Sequence, residues 1–319
     1  MKLIIGTRGS ALALAQSEHI RDRLLALPGG AVEAVELKVI HTRGDRVLDV
    51  ALSKVGGKGL FTKELEEALL SREVDLAVHS LKDMPSELPP GLVLAATTAR
   101  EDPRDAWVRP EGAAPLELDA LARGAVVGTS SLRRQAQLLA RRPDLRVVPL
   151  RGNVGTRLRK LDEGQDGMEA IVLAAAGLRR LGLAGRISRP LDPTRDMLPA
   201  VGQGALTIEV REDDAAVREL VGRLTDRDAL DATTAERAFL RAVEGGCQVP
   251  ACAHATLDGE RLQLAGFIGA PSGDPFVRDA LSGARAQAAE LGRALATRLL
   301  DAGGREIMAA LRAAERGDG

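Results

Sequence analysis

The 319 residues carry 44 Lys and Arg against 45 Asp and Glu, a formal net charge of -1, and 45% of them are hydrophobic. That balance describes an ordinary soluble chain of two or three domains and excludes a bulk electrostatic grip on nucleic acid, which needs a basic surface. Aromatic residues make up only 2%, with no tyrosine, which removes the stacking platforms of a single-strand binder.

The N-terminal MKLIIGTRGS has an apolar run far too short for a signal peptide, and no later stretch reaches the length of a membrane span, so a cytoplasmic protein without membrane contact is expected. Lys2 to Ile5 reads as a strand, Gly6 to Ser10 as a turn, and Ser10 as the N-cap of a helix running to about Leu27. Arg8 and the unpaired amides of that helix start make a ready anion site. Val32 to Ile40 alternates apolar and polar residues as a strand with one buried face. The polar segment HTRGDRVLDVALSKVGGKG follows, before a helix from about Phe61 to Leu70. Its glycines with Lys54 and Lys58 invite a phosphate-loop reading, but the G-x-x-x-x-G-K-[ST] spacing is absent. A lid that brings ammonium groups over a bound anion is the preferred reading.

In AVHSLKDMP, Ala77 to Pro85, an apolar strand (Leu76 to Val78) ends in a tight polar turn, and Met84-Pro85 blocks the α conformation straight after Asp83. Asp83 thus stands at a strand's C-terminal end, where open α/β sheets bind ligands. An acid among many cations points to a polyanionic substrate whose reaction passes through a positive charge. The competing reading makes Asp83 a helix cap and Lys82 a solvated neighbour. Lysine supplies only seven of the 44 cations, and arginine abundance alone also fits compositional bias or thermal adaptation.

Near TTAREDPRDA the composition shifts, marking a crossing into a second domain. There the pattern of strand, turn and helix recurs. GAVVGTSSLRRQAQLL places a strand at Ala125 to Val127, then Thr129, Ser130 and Ser131 at a helix start, then Arg133 and Arg134 in the first turn. LRVVPLRGNVGTRLRKL repeats it with Arg151 at the strand end, Gly152-Asn153 in the turn and Arg157 one turn into the helix. EAIVLAAAGLRRLGL continues with a strand at Ala170 to Leu173 and a helix bearing Arg179 and Arg180. Arginine near a helix N-terminus opposes the macrodipole, and a bound carboxylate explains its recurrence. LPAVGQGALTIEV then forms a glycine-hinged turn and a strand, Ala205 to Val210, that returns to the first domain's sheet.

From about Leu220 the alternation stops. A helix, Ala229 to Val243, leads into EGGCQVPACAHATL, a strand pair centred on Leu262 to Ile268 and Pro275 to Leu281, and two closing helices. Two cysteines make no disulfide framework, and C-x4-C without a second pair or nearby histidines is a poor zinc pattern, so no metal is expected. Cys252 fits a structural position within a strand. In Glu244 to Pro250, paired glycines leave Cys247 at a loop tip, either as a nucleophile or attachment point or as a free loop thiol. The expected architecture is α/β: two hinged doubly wound domains, 1–99 with 198–220 and 100–197, plus a small α+β domain, 221–319.

These stretches carry a resemblance. TRGSALALAQ, HTRGD, KVGGKGLFTKELE, DLAVHSLKDMP, REDPRDAWV, VGTSSLRRQ, RRPDL, LRGNVGTRL, LAAAGLRRLGL, LPAVGQGAL, TAERAFL and EGGCQVP stand in the order found in the porphobilinogen deaminase (hydroxymethylbilane synthase) family, which this chain resembles over nearly its whole length. The departures are DGMEAIVL, where the family commonly has an aromatic residue followed by aspartate, and a looser match after Cys252. The resemblance implies a monomeric transferase whose domains resemble type II periplasmic binding proteins. It implies deamination of porphobilinogen and condensation of four units into the linear tetrapyrrole hydroxymethylbilane. It also implies a dipyrromethane cofactor joined by a thioether to Cys247, with Asp83 as the catalytic acid. Cofactor and substrate contacts would fall on Arg8, Ser10, Gln16, Lys54, Lys58, Ser80, Lys82, Thr129, Ser130, Ser131, Arg133, Arg134, Arg151, Gly152, Arg157 and Arg179.

A rival from another class is a two-lobed anion-binding module on the same architecture. It would need the arginines at the helix starts, but neither Asp83 on its turn nor Cys247 on a glycine loop.

Overall fold

Leu3 and Ile5 carry the first strand, β1 (Lys2–Thr7), into the core of a five-stranded mixed sheet. The structure is a computed structural model and describes residues 1–42, 62–114, 116–243 and 250–317; Lys54, Lys58 and Cys247 lie outside the described residues. The chain divides into two units, Met1–Glu101 with Gly204–Leu230, and Asp102–Gln203 with Asp231–Gly319.

In the first unit, α1 (Ala11–Leu25) starts where the Ser10 hydroxyl accepts a hydrogen bond from the Ala13 amide at 3.3 Å, and Ile20 and Leu24 bury its inner face. β2 (Ala34–Val39), α2 (Lys63–Leu70), β3 (Leu76–Ser80) and β4 (Leu92–Thr97) follow. A later strand, β10 (Leu206–Arg211), returns to complete the order β2-β1-β3-β10-β4. β1 runs parallel to β2 and β3, and β10 runs antiparallel to β3 and β4. Alternation splits β10 between two environments. Leu206, Ile208 and Val210 join the aliphatic core, while Thr207, Glu209 and Arg211 are polar yet buried. At the return, Gly204 has φ +91, and a Cβ there would collide with the Glu101 carbonyl, so glycine is required.

The second unit repeats the pattern. Its elements are β5 (Asp105–Val108), β6 (Val126–Gly128), α3 (Leu132–Arg141), β7 (Arg146–Val148), α4 (Val154–Asp162), β8 (Ala170–Ala174), α5 (Ala175–Arg180) and β9 (Arg189–Pro190). The order β7-β6-β8-β5-β9 again sets three parallel strands beside one reversed strand, β5, with an edge strand, β9, antiparallel to it. In both sheets the fourth strand stands next to a point where the chain crosses between units. Trp107, Val127 and Val172 pack on one face of this sheet, and Ala106, Ile171 and Leu173 on the other, as expected for strands covered on both sides.

The remaining residues bring two changes to the sequence expectation. α6 (Ala215–Gly222) and Leu224 bury in the first unit's core, so that unit extends beyond residue 220. Leu198 packs instead with Ala136, Cys252 and Phe267 of the second unit. After α7 (Arg227–Ala242), the C-terminal sheet has three antiparallel strands rather than two: β11 (Ala251–Asp258), β12 (Arg261–Gly269) and β13 (Phe276–Ala284). α8 (Ala288–Leu299) and α9 (Arg305–Gly317) close the chain, and Phe239, Leu264, Ile268, Leu295 and Leu299 fill a separate apolar core.

α3 is fixed to its sheet by charge as well as by packing. Asp105, fully enclosed on β5, accepts from Arg133 Nη1 at 2.7 Å, from Arg134 Nε and Nη2 at 3.1 and 2.7 Å, and from Gln203 Nε2 at 3.0 Å. The guanidiniums also donate to the carbonyls of Leu198 and Val172, at 2.5 and 2.8 Å. Burial pushes the Asp105 carboxyl up, but the Arg133 and Arg134 charges outweigh it and hold it well below the usual carboxylate range. A depressed acid contributes stability above its unfolded pKa and loses it as pH falls toward its folded value. Asp105→Asn leaves two buried guanidiniums without their counterion and is expected to destabilise the protein by about 3–5 kcal/mol. In urea titrations that deficit should be full at neutral pH and shrink below about pH 4; a deficit independent of pH would contradict the assignment.

Candidate active site

β1 and β3 are parallel neighbours, with Ile5 opposite Leu76 and Gly6 opposite Ala77, so the residues that follow both strands emerge on one edge of the first sheet. This edge holds a pocket lined by Arg8, Ser10, Gln16, His79, Ser80 and Asp83. Gln16 Nε2 donates to Ser80 Oγ at 2.9 Å, tying α1 to the end of β3. Ser17 Oγ donates to Thr7 Oγ1 at 2.8 Å beneath it. The start of α1 adds its amide dipoles to the Arg8 charge, a setting suited to a carboxylate.

Asp83 ends a single 3-10 turn, Leu81–Asp83. The turn is pinned from below: Leu81 and Met84 bury against Ala205, and the Leu81 amide donates to the Ala205 carbonyl at 3.0 Å. With alternate positions anchored in this way, Asp83 is left exposed while Lys82 is half-buried. Met84 is extended at ψ 137, as its position before Pro85 requires. The turn has no side-chain cap, and its N-cap position belongs to Ser80, so Asp83 is not a capping residue.

The second unit presents two strand-to-helix turns side by side, because β6 and β7 are parallel neighbours. In the first, the Thr129 hydroxyl accepts from the Ser131 amide at 3.2 Å, and Ser131 caps α3 by accepting from Arg134 N. Ser130 Oγ donates to the Leu150 carbonyl at 3.0 Å and accepts from the Leu150 amide at 2.9 Å, locking the two turns together. In the second, Gly152 has φ +109, and a Cβ there would lie 2.6 Å from Thr156 Cγ2, so only glycine fits. Asn153 caps α4 by accepting from the Thr156 amide at 2.9 Å. Arg157 Nε donates to the Gly152 carbonyl at 2.8 Å. Arg151 is half-buried at the strand end.

Arg133 and Arg134 are each only 6% exposed, and both are paired with Asp105. They follow the Ser131 cap in the first turn of α3, where their side chains run into the interior toward β5. Arg179 is half-exposed but pairs with Asp102 at 3.2 Å, a carboxylate also held by Arg104. Sequence reasoning missed Asp105 entirely, although an aspartate opening the apolar run DAWV was a signal. It also missed Glu209, a charged residue inside the apolar strand LTIEV, whose Oε2 lies 3.0 Å from His79 Nε2. Cys252 is 1% exposed in β11, and burial pushes its thiol up to about 12.

Residues 3–219 match the family described as "Porphobilinogen deaminase, dipyromethane cofactor binding domain", and residues 230–301 match "Porphobilinogen deaminase, C-terminal domain". The chain is 52% identical over 308 residues to the porphobilinogen deaminase of Trichlorobacter lovleyi, covering 96% of each chain. It is 53% identical over 309 residues to that of Syntrophotalea carbinolica, covering 97% of this chain and 96% of the relative. It is 54% identical over 307 residues to that of a Roseiflexus species, covering 96% and 98%. Among solved structures, it is similar to an ABC transporter periplasmic binding protein from Brucella ovis with glutathione bound, at 15% identity and a TM-score of 0.39, covering 76% of this chain and 68% of that one. The two domain matches together take in most of the described residues and both groups of strand-end residues, and the chain belongs to the porphobilinogen deaminase family.

Proposed function

We propose that this chain deaminates porphobilinogen and joins four units head to tail into hydroxymethylbilane, with Asp83 as the group that makes deamination possible. The observation that supports this is the exposed carboxylate held on a pinned turn beside an edge bearing Arg8 and the Ser10-capped start of α1. Each pyrrole brings an acetate and a propionate, so substrate and product are polyanions that suit bidentate arginine. Loss of ammonia from the substrate leaves a methylene-pyrrolenine cation, which needs one negative charge close by. A carboxylate at about 4 Å contributes about 4 kcal/mol at an effective dielectric of 20. Realised only in the transition state, that is roughly a thousandfold in rate.

The family's dipyrromethane, when bound, supplies the primer to which the units are added. The residues present suit such a group. The Gly152 turn permits close backbone approach, and Thr129, Ser130, Arg151 and Arg157 set hydroxyls and cations around it. Ser80, Lys82, Asp83, Thr129, Ser130, Ser131, Arg133, Arg134, Arg151 and Gly152 are assigned to the cofactor, and Cys247 to carry its thioether. Arg8, Ser10, Gln16, Arg157, Arg179, Lys54 and Lys58 are assigned to the substrate's carboxylates. Arg133 and Arg134 act from behind the surface: two buried guanidiniums against the one Asp105 carboxylate leave a net positive charge that favours an anionic ligand. The working form is taken to be a cytoplasmic monomer without nucleic-acid partners. No helix among the described residues is long and apolar enough to cross a membrane.

Two experiments test this reading. Asp83→Ala should retain the two-pyrrole cofactor by intact mass yet lose roughly a thousandfold in kcat with porphobilinogen; near-normal kcat would reject the role of Asp83. Cys247→Ser should show the mass of the bare polypeptide, and an adduct of two pyrrole units on that variant would place the attachment elsewhere.

A further inference from the structure

Behind the Asp83 pocket lies a hydrogen-bonded pair that the mechanism above does not use. His79, on β3, lines the pocket, and its Nε2 is 3.0 Å from Glu209 Oε2 on β10. Glu209 is fully enclosed, and its Oε1 has no hydrogen-bond partner among the described residues. Glu66 of α2, itself buried, is coupled to both: burial pushes its carboxyl up, and Glu209 adds to the effect. A buried glutamate with one oxygen unsatisfied is a poor device for stability, because an apolar pair of similar volume avoids several kcal/mol of desolvation. On the same face of β10, Thr207 donates to the Ala96 carbonyl and Arg211 to the carbonyls of Leu69 and Val74, whereas Glu209 meets a side chain that also borders the pocket.

We propose that His79 is a positioning residue for the porphobilinogen reaction, with Glu209 fixing its imidazole as a rigid wall of the pocket against which the substrate ring is aligned toward Asp83. This rests on the functional reading above. In β3, the backbone of His79 is already set by pairing with Thr207. The hydrogen bond to Glu209 therefore serves the orientation of the ring, not the course of the strand. A wall that rotates by even about an ångström disturbs alignment at the reacting carbon, and misplacements of that size cost up to about a hundredfold in rate.

The test compares holoenzymes. In His79→Leu/Glu209→Leu both partners become apolar, so the protein should melt no lower than wild type. It should keep its covalent cofactor by intact mass, yet kcat should fall about tenfold or more with KM within about twofold. Glu209→Gln, which keeps an acceptor for Nε2, should restore most of kcat, and Glu209→Leu should not. A purely structural pair predicts the reverse pattern: altered melting with wild-type kcat. A folded, loaded double variant with wild-type kcat, or a Gln variant no better than Leu, overturns the inference. Inactivity of the wild-type holoenzyme on porphobilinogen would instead overturn the functional reading on which it rests.

Discussion

The burial of two apolar side chains on either side of an acid decides what this site can be. Leu81 and Met84 sink into the core next to Ala205, and the backbone between them has no choice but to carry Asp83 outward. Full burial of side chains of this size contributes about 1.5–3 kcal/mol each, more than the tendency of a short 3-10 turn to fray. The carboxylate is held by packing beneath it, with no hydrogen bond to it from the described residues. Its oxygens therefore remain available to a ligand, which a capping aspartate could not offer.

Around that turn the fold repeats one physical idea. Each five-stranded sheet, taken by itself, places three parallel strands together, and these strands deliver their turns to one edge of that sheet. Ser10, Ser131 and Asn153 satisfy only part of each helix start, leaving amides directed at whatever occupies the edge. The cations differ in kind. Arg157 has one nitrogen committed to a backbone carbonyl, whereas Arg133 and Arg134 are enclosed and act as fixed background charge. In the second unit the cations therefore differ in depth, with Arg157 nearer the surface and the Arg133 and Arg134 charges in the interior.

Much of this was legible from residues alone, and the failures have physical causes. The Asp83 turn could be read because Met84-Pro85 excludes helix and the preceding run is uniformly apolar. The strands and helices named through residue 210 followed from periodicity, with ends displaced by at most three residues, while β4, β5 and β9 were not read. β11 went unseen because its inward positions, Ala251, Ala253 and Ala255, are small and weakly strand-forming, so the alternation carries little hydrophobic signal. The burial of Arg133 and Arg134 could not be read locally, since the carboxylate that receives them lies 28 and 29 positions away on another strand. The site's open groups belong to short motifs, while its buried partners are long-range, and only tertiary structure joins the two.

The setting of Cys252 bears on which sulfur in the chain can do chemistry. A thiol raised to about 12 by burial is almost wholly protonated at neutral pH, and at 1% exposure no electrophile reaches it. Of the two cysteines, the one in the sheet is therefore chemically silent. Alkylation, oxidation or thioether formation by the folded chain is therefore not expected at Cys252.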